Sequence, residues 1–593
     1  MAFFVPMRIQ TKTSIDFQLP ADFEAELTRY NVLLSDVGEQ TTPLTLPGTP
    51  HNMQLIGYSN RLDNYYKPIS EMEVLVSDGL FVRPCNMAIH TADETDGISV
   101  TLYLGTGDFY SRVGDKMLSA LAWPVIKSTA QGLIDLLKTE FFHPSDTAIF
   151  CVAQIETTQE YVWRRERITG VTHHDEDIIE TRVDEEGYIL RDEEGNVINF
   201  VIGTKTTYTP KNEWVNSTEK LILNAFESEL PENVLPAHTM SDDMEACQVS
   251  LTILQGEHTQ KIVEDGAEIT LPIGYGMTPF LKLRYVLETI FNGYTLDTFA
   301  IQLVCDVFEN KMCLINNVAD TICSGTLKFV QLIPEISIKE FIDKTEKMFA
   351  GKFIINEFTK TVTFNSYNEK LTIHADLDLS NYLVSSPKLG TPDFTTVVVK
   401  YKSDNVSSTN EAQTKTELLE FEFLNRINTK MSKLFKNSAG SAYYYVDLTL
   451  YLLQITDIIH KNTSVVIAGK TITEEQKASN LVQIMTIDSH TNSSFYYVVP
   501  PNVFGYPIFY TAMQYIDLHP DIDSFYSAYK SFRLNSNIPI EVEMNIPDQV
   551  LETLNFSTPK ILQGQKVMIE SIVQKLGKKD IQKMKLRTLR SYQ

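Results

Sequence analysis

The sequence predicts a β-rich α+β protein built from several domains, and three observations carry that prediction. At 593 residues the chain is too long for one core. Single cores stop growing at roughly 250–300 residues, so about three to five domains are expected. Tyrosine and phenylalanine number 27 and 31, and together with frequent β-branched residues they favour strands over helices. Between Met277 and Ser366 one local design occurs twice: a capped helix, a glycine stop and a short strand. Changes in pattern along the chain place domain limits at 1–115, 116–244, 245–390 and 391–593.

Residues 1–115 read as half-buried antiparallel strands. Met72, Val74 and Val76 alternate with polar partners before a turn at Ser77-Asp78-Gly79, and Val100, Leu102 and Leu104 alternate with Thr101 and Tyr103. Pro43, Pro47 and Pro50 mark a loop that resists strand pairing. In the second segment a helix is expected over Ser128–Phe142, with Leu133, Leu136 and Leu137 at helical spacing. An acidic excursion follows, with thirteen Asp or Glu against five Arg between Glu156 and Asn199. Asp184-Glu185-Glu186-Gly187 and Asp192-Glu193-Glu194-Gly195 repeat one device eight residues apart, as two turns of a small meander that projects from the body.

His173, His174, Asp175, Glu176 and Asp177 supply ligand types for a divalent ion. The spacing is not that of a helix–loop–helix calcium site, and adjacent histidines are not the i, i+4 pair that shares a helix face. A solvated acidic face is therefore expected here, with an ion across 173–194 as the alternative. Trp163 and Trp214 bracket the excursion, with Arg164, Arg165 and Arg167 beside the first. They read either as core tryptophans with solvated arginines or as anchors of a contact with another protein. Pro231 and Pro236 mark a linker to the central segment.

In the first central unit Thr278 is expected to cap a helix with Pro279 at its first position. Phe280, Leu283, Leu287, Ile290 and Phe291 form its apolar face, and Gly293 stops it. In the second, Ser337 and Glu340 form a capping box. Ile338, Phe341, Ile342, Thr345, Met348 and Phe349 repeat the stripe and Gly351 ends it. A hairpin follows, with strands at Lys352–Asn356 and Thr361–Ser366 around a turn at Glu357–Lys360. The spacer holds two further strands, Phe299–Phe308 and Thr326–Leu332.

Beyond residue 391, Thr395–Lys402 and Tyr443–Ile455 read as strands. The second is a half-buried strand, or else an aromatic platform for carbohydrate. The run Ser464–Thr471 lacks the first glycine that a phosphate loop needs, so Gly469-Lys470 is a hairpin turn. Gly274-Tyr275-Gly276 is a flexible entry to the first helix, not a dinucleotide fingerprint. A last strand runs through Val567 and Ile569 after a turn at Gln563-Gly564. The final stretch from Lys575 carries seven Lys or Arg against Asp580. It reads either as a dock for an acidic neighbour or as a frayed, solvated end.

Net charge is −25 and the isoelectric point is about 4.9, the wrong sign for a general nucleic-acid binder. The start M-A-F-F-V-P-M-R-I-Q lacks the basic region and long apolar core of a signal peptide. No run of about 18 apolar residues predicts a transmembrane helix. Cys85, Cys151, Cys247, Cys305, Cys313 and Cys323 include no C-x-x-C pair and read as reduced, mostly buried thiols. Local motifs of metalloproteases, serine hydrolases and cysteine hydrolases do not occur, so no catalytic, cofactor-binding or metal residues are assigned, and no enzymatic role is expected.

The two helix–glycine–strand units with a longer spacer between them resemble the tail-hub family of bacteriophages. That family includes baseplate hubs of contractile tails, late-control-D-type proteins and tail-tip proteins of non-contractile tails. The run LPIGYGMTPFLKLRYVLETIFNGYTL, from Leu271 to Leu296, also resembles tail structural proteins of phages infecting gut Bacteroidota. Leu44–Asp63 (LTLPGTPHNMQLIGYSNRLD) and Lys583–Arg590 (KMKLRTLR) are similar to the same group. Together these runs cover about a fifth of the chain and are patterns rather than catalytic signatures.

The resemblance implies small β-barrel domains, the first of them a tube-matching barrel within 1–115, and a homotrimer at the distal end of a tail. Its partners would be tail-tube, distal-tail and fibre or tip proteins. Some family members carry a peptidoglycan-cleaving domain after the hub; this chain ends in strands and a short tail instead, so lytic activity is not expected. Two other roles are weighed with it: a surface-glycan-binding adhesin or depolymerase, and the hub of a cell-encoded contractile injection system.

Overall fold

The computed structural model describes residues 7–226, 249–250, 259–294, 302–304, 312–401, 416–421, 425–436, 443–461, 466–467, 470–471, 482, 484–488, 493–495, 508–510, 514–516 and 526–589, apart from short gaps at 36–37, 65–68, 105–108, 110–113, 357–360, 368–373, 394–395, 456–457 and 579. It is a β-rich α+β protein of several sheets and few helices, as the composition predicts.

The largest sheet joins the two ends of the chain. Its path runs Arg8–Thr11, Glu71–Asp78, Phe81–Asp93, Gly97–Leu104, Glu39–Thr41, Ala25–Tyr30, Gln565–Leu576, Gln582–Thr588, Pro539–Met544 and Lys388–Leu389, with every pairing antiparallel. The seam between the two ends is Ala25–Tyr30 against Ser571–Leu576. Val74, Val76, Val100, Leu102 and Leu104 are buried as their alternation predicts. The path has two ends, so the expected small barrel is not formed: among the described residues no barrel closes. The physical reason is that the N-terminal strands pair with C-terminal ones instead of curling onto themselves. The proline-marked loop is more ordered than expected. Leu44–Leu46 is a short strand, and Pro50–Leu55 is a helical turn capped by the Thr49 side chain.

The basic C-terminal stretch is not frayed through Leu589. Gln582–Thr588 lies between two strands, and Lys583 and Lys585 sit opposite Glu543 and Glu541. Alternating burial of Gln582, Met584, Leu586 and Thr588 holds it in place.

The central units pack on one apolar core. The second helix spans Ile338–Met348, and the Ser337 side chain accepts from the Glu340 N–H as the capping box predicts. Ile338, Phe341, Ile342 and Met348 are buried, each contributing about 1.5–3 kcal/mol. Ala350, not Gly351, takes the left-handed position after this helix, with φ of 48°. Gly351 instead starts the strand Gly351–Asn356, paired in register with Thr361–Ser366. A Cβ at Gly351 would strike the Phe364 ring and come within 2.6 Å of the Asn365 carbonyl oxygen. Gly351→Ala is therefore expected to destabilise by about 2 kcal/mol, read as a lowered unfolding midpoint in denaturant.

The first unit differs from expectation. Phe280–Lys282 is a strand, flanked by Phe150–Cys151 and Met312–Leu314, and the helix begins only at Leu283 and runs to Tyr294. Thr278 does not cap it. Its hydroxyl donates to the Asn316 side chain at 3.0 Å, its N–H donates to Asn224 Oδ1 at 2.8 Å, and it lies 3.1 Å from the Thr321 hydroxyl. Pairing on both edges outweighs the local cap signal, because buried backbone groups must be satisfied.

Elsewhere the helix Ala130–Phe142 is capped by Thr129. Of the spacer, Gln302–Val304 is a strand, while Thr326–Lys328 is a strand that turns into 3-10 helix at Phe329–Leu332. Thr396–Tyr401 pairs in parallel with Thr416–Phe421, and Tyr443–Ile455 is a strand over its whole expected length. Val466–Ile467 pairs with Lys470–Thr471 as a hairpin. Gly469, the turn at Glu357–Lys360, the prolines at 231 and 236, and Cys247 and Cys305 lie outside the described residues. Cys85, Cys151 and Cys313 are buried free thiols and Cys323 is half-buried. Burial pushes the thiols of Cys151 and Cys323 up, which suits packing rather than nucleophilic use.

Candidate interaction arm

The acidic excursion is the end of a long β-arm. Ile155–Thr181 and Asn199–Leu223, strands of 27 and 25 residues, pair antiparallel almost throughout. At 3.3 Å per residue the contour is about 90 Å. Near its root the arm belongs to a seven-stranded sheet. Ile155–Thr157 pairs in parallel with Leu453–Ile455, Trp163 meets Ile262, and Arg167–Ile168 meets Val249–Ser250. Beyond Ile168 the described residues show only the two-stranded ribbon.

The root is fixed by packing and by a chain of hydrogen bonds. Trp163 is 1% exposed, its ring edge meets Tyr161, and its Nε1–H donates to the Glu219 carbonyl at 3.0 Å. The Tyr161 hydroxyl lies 2.8 Å from that of Tyr275, which lies 2.9 Å from His460 Nε2. The buried Asp320 carboxylate accepts from the Lys461 N–H at 3.0 Å. Tyr275 is presented by the tight turn Gly274-Tyr275-Gly276, where both glycines have positive φ. The turn leads into the strand Phe280–Lys282, not directly into a helix as the sequence suggests.

Burial raises the phenol of Tyr275 well above its ordinary range and raises that of Tyr161, which the Tyr275 hydrogen bond opposes. Burial lowers the His460 imidazole, and the Asp320 carboxylate opposes that shift. An imidazole lowered in the fold is charged more readily when unfolded. Its contribution is full above about pH 6.5 and is lost as the pH falls through the lower folded value. Thermal stability is therefore expected to fall on acidification below pH 6.5 in the native chain. His460→Gln, which can still hydrogen-bond Tyr275, is expected to flatten that dependence.

At the far end the two predicted turns form. Asp184 Oδ1 accepts from the N–H groups of Glu186 and Tyr188, and Asp192 Oδ1 from those of Glu194 and Asn196. Gly187 and Gly195 have φ of 87° and 90°. The Asn196 N–H is the chief cause holding the Asp192 carboxyl below its ordinary value. Three backbone bonds close a ring at a spacing of eight residues: Arg182 N–H to Ile198 O, Ile198 N–H to Leu190 O, and Leu190 N–H to Arg182 O. The eight-residue repeat in the sequence thus becomes a three-membered ring of backbone hydrogen bonds. Around it Tyr188, Ile189 and Val183 are 69%, 53% and 52% exposed.

The tryptophans divide between the two readings: Trp163 is core, whereas Trp214 is 44% exposed. Among the described residues no group of three or more His, Cys, Asp or Glu is placed to hold a metal ion. The side chains of residues 173–176 lie outside the described residues, and Asp177 is exposed. Side chains of the Tyr443–Ile455 strand, the alternative carbohydrate platform, also lie outside, except Ile455, which is buried. Among the described residues no helix is long and apolar enough to cross a membrane.

No protein-family model and no curated protein matches the chain. Among solved structures the chain is similar to the 43 kDa tail protein of prophage MuSo2 from Shewanella oneidensis. The identity is 6%, 98% of each chain is covered, and the TM-score is 0.28. At that score the likeness carries no argument about shape or role.

Proposed function

We propose that this chain is a structural protein of a phage virion, a tail hub or baseplate component that joins the tail tube to the tip or fibres without catalysing a reaction. The observation that carries the reading is the arm. Its root is locked into the core, and its end presents exposed apolar and acidic residues about 50 Å from the root-side Trp214, counted along the strand from Glu166 to Thr181. Such an extension suits contact with other proteins, and exposed apolar residues mark such contacts. The sequence runs that resemble tail hubs supply the kind of assembly. In this role the protein sits at the distal end of the tail as a homotrimer, against tail-tube, distal-tail and fibre proteins.

Immunogold electron microscopy of purified virions tests the reading. Label confined to the distal tail tip is the expected result. Label on a cell-encoded particle would move the role to an injection system. Release of reducing sugar from host surface polysaccharide by the purified chain would replace it with a depolymerase.

A further inference from the structure

We propose that the arm is latched to the body across a bulge at its root, and that acidification releases the latch through His460 acting on Tyr161 by way of Tyr275. The inference goes beyond the assembly role above and does not depend on it.

The root of the arm contains a place to bend. The ladder between Ile155–Thr181 and Asn199–Leu223 shifts register between Glu156 and Glu160. There the buried Thr157 hydroxyl donates to the Leu221 carbonyl at 3.0 Å, and the Gln159 N–H donates to that hydroxyl at 3.2 Å. A bulge of this kind bends its strand and interrupts the ladder. On the body side of it, Ile155–Thr157 is fixed by pairing with Leu453–Ile455. On the arm side, the Tyr161 hydroxyl ties the strand back to the body through Tyr275.

The far end of that tie is well held. His460 follows the strand Tyr443–Ile455, which pairs with the base of the arm. The neighbouring Ile459 is clamped on both sides, its N–H donating to the Asn317 carbonyl at 2.9 Å and its carbonyl accepting from the Ala319 N–H at 3.0 Å. The imidazole stacks on the Tyr275 ring with centroids 5.8 Å apart. The latch therefore spans the bulge from a fixed point to the arm.

Protonation reverses the latch. A neutral imidazole has one accepting nitrogen, whereas a charged imidazole only donates. With His460 neutral, Nε2 takes the Tyr275 hydrogen at 2.9 Å and the Tyr275 oxygen takes that of Tyr161 at 2.8 Å. With His460 charged, Nε2 donates to Tyr275, which must turn its own hydrogen to the Tyr161 oxygen. The Tyr161 hydrogen is then displaced from the chain, and the arm loses its donor bond to the body. Burial disfavours the charged imidazole in the fold, so opening the root takes up a proton and falling pH favours opening. The other ionisable groups around the latch are Asp320 and Cys323 near Tyr275, Glu264 near Tyr161, and Lys461, whose ammonium lies 3.2 Å from Glu335. Asp320 favours the charged imidazole and moderates the release without changing its sign.

Amide hydrogen exchange of the full chain between about pH 7.5 and about pH 5, corrected for the intrinsic pH dependence of exchange, tests the inference. Peptides covering 156–163 and 219–223 are expected to lose protection about threefold or more, relative to those of the end-to-end sheet, as the pH falls. His460→Gln keeps a group that bonds Tyr275 without titrating. Tyr275→Phe keeps the ring and cuts the chain between His460 and Tyr161. In both variants the relative protection is expected to stay level across the range, at a lower value for Tyr275→Phe. A native root that stays as protected at the acid end as at the neutral end would overturn the latch. So would a loss that persists in either variant, or one shared equally by the end-to-end sheet. Each of these outcomes leaves the tail role to be decided by the label on virions.

Discussion

Trp163→Ala is expected to destabilise the arm's root by about 3–5 kcal/mol, the range for truncating a buried aromatic. The ring is 1% exposed and edge-on to Tyr161, and its N–H satisfies the Glu219 carbonyl. Alanine would leave a cavity at the point where the arm's strand still pairs with Ile262, and would remove one donor from the Glu219 carbonyl. The loss should be local, because a chain of several cores need not unfold as one unit. Amide exchange along Ile155–Leu223 is expected to rise sharply, with the large end-to-end sheet protected as before. Trp214→Ala is the control. Its ring is 44% exposed and the same truncation should change stability by no more than about 0.5 kcal/mol. Equal losses at the two tryptophans would contradict the division into one core residue and one surface residue.

That division also shows what the sequence could convey. Both tryptophans sit in alternating polar strands, the first of them beside arginines, so composition left core and interface readings open for each. The ladder decides between them: Trp163 lies where a third strand and Tyr161 cover it, and Trp214 lies on the opposite strand near Arg164 and Lys261. Local signals with a fixed geometry were legible. The Ser337 N-cap, the hairpin strands around residues 351–366 and the aspartate–glycine turns all form where the residue types demand them. The same logic fails at Thr278, where strand pairing of Phe280–Lys282 overrides a good cap.

Long-range pairing was not legible at all. Nothing in Ala25–Tyr30 states that its partner is Ser571–Leu576, since alternation fixes a face and not a neighbour. The expectation of a self-contained barrel failed for this reason. The arm was half legible. Its acidity and repeated turns indicated a projecting meander, but strands of 27 and 25 residues lie far beyond the usual strand length, and no window of sequence reveals where such a ladder stops.

The same joining of distant segments makes Lys560 the second position of large effect. Lys560→Met is expected to cost about 3 kcal/mol. The lysine side chain is fully buried, yet its ammonium donates to Asp376 Oδ1 at 2.6 Å, the Asn555 carbonyl at 2.6 Å, and the Thr558 hydroxyl and carbonyl at 2.6 and 3.1 Å. Burial lowers its ammonium, and the Asp376 carboxylate opposes that. Asp376 is 42% exposed, so the ion pair itself is screened and supplies the smaller share. The larger share comes from the donors lost at the Asn555 and Thr558 carbonyls, although the Asn555 carbonyl keeps the Thr558 hydroxyl at 3.1 Å. Asp376→Asn keeps an acceptor for the ammonium and should cost much less, about 1 kcal/mol. Ile561 N–H donates to the Leu377 carbonyl beside this site, so the segment after Asp376 is held against the C-terminal sheet by the same few residues. Denaturant unfolding of the two variants separates the terms: equal losses would assign the site to the ion pair, and the expected ratio of about three assigns it to the buried carbonyls.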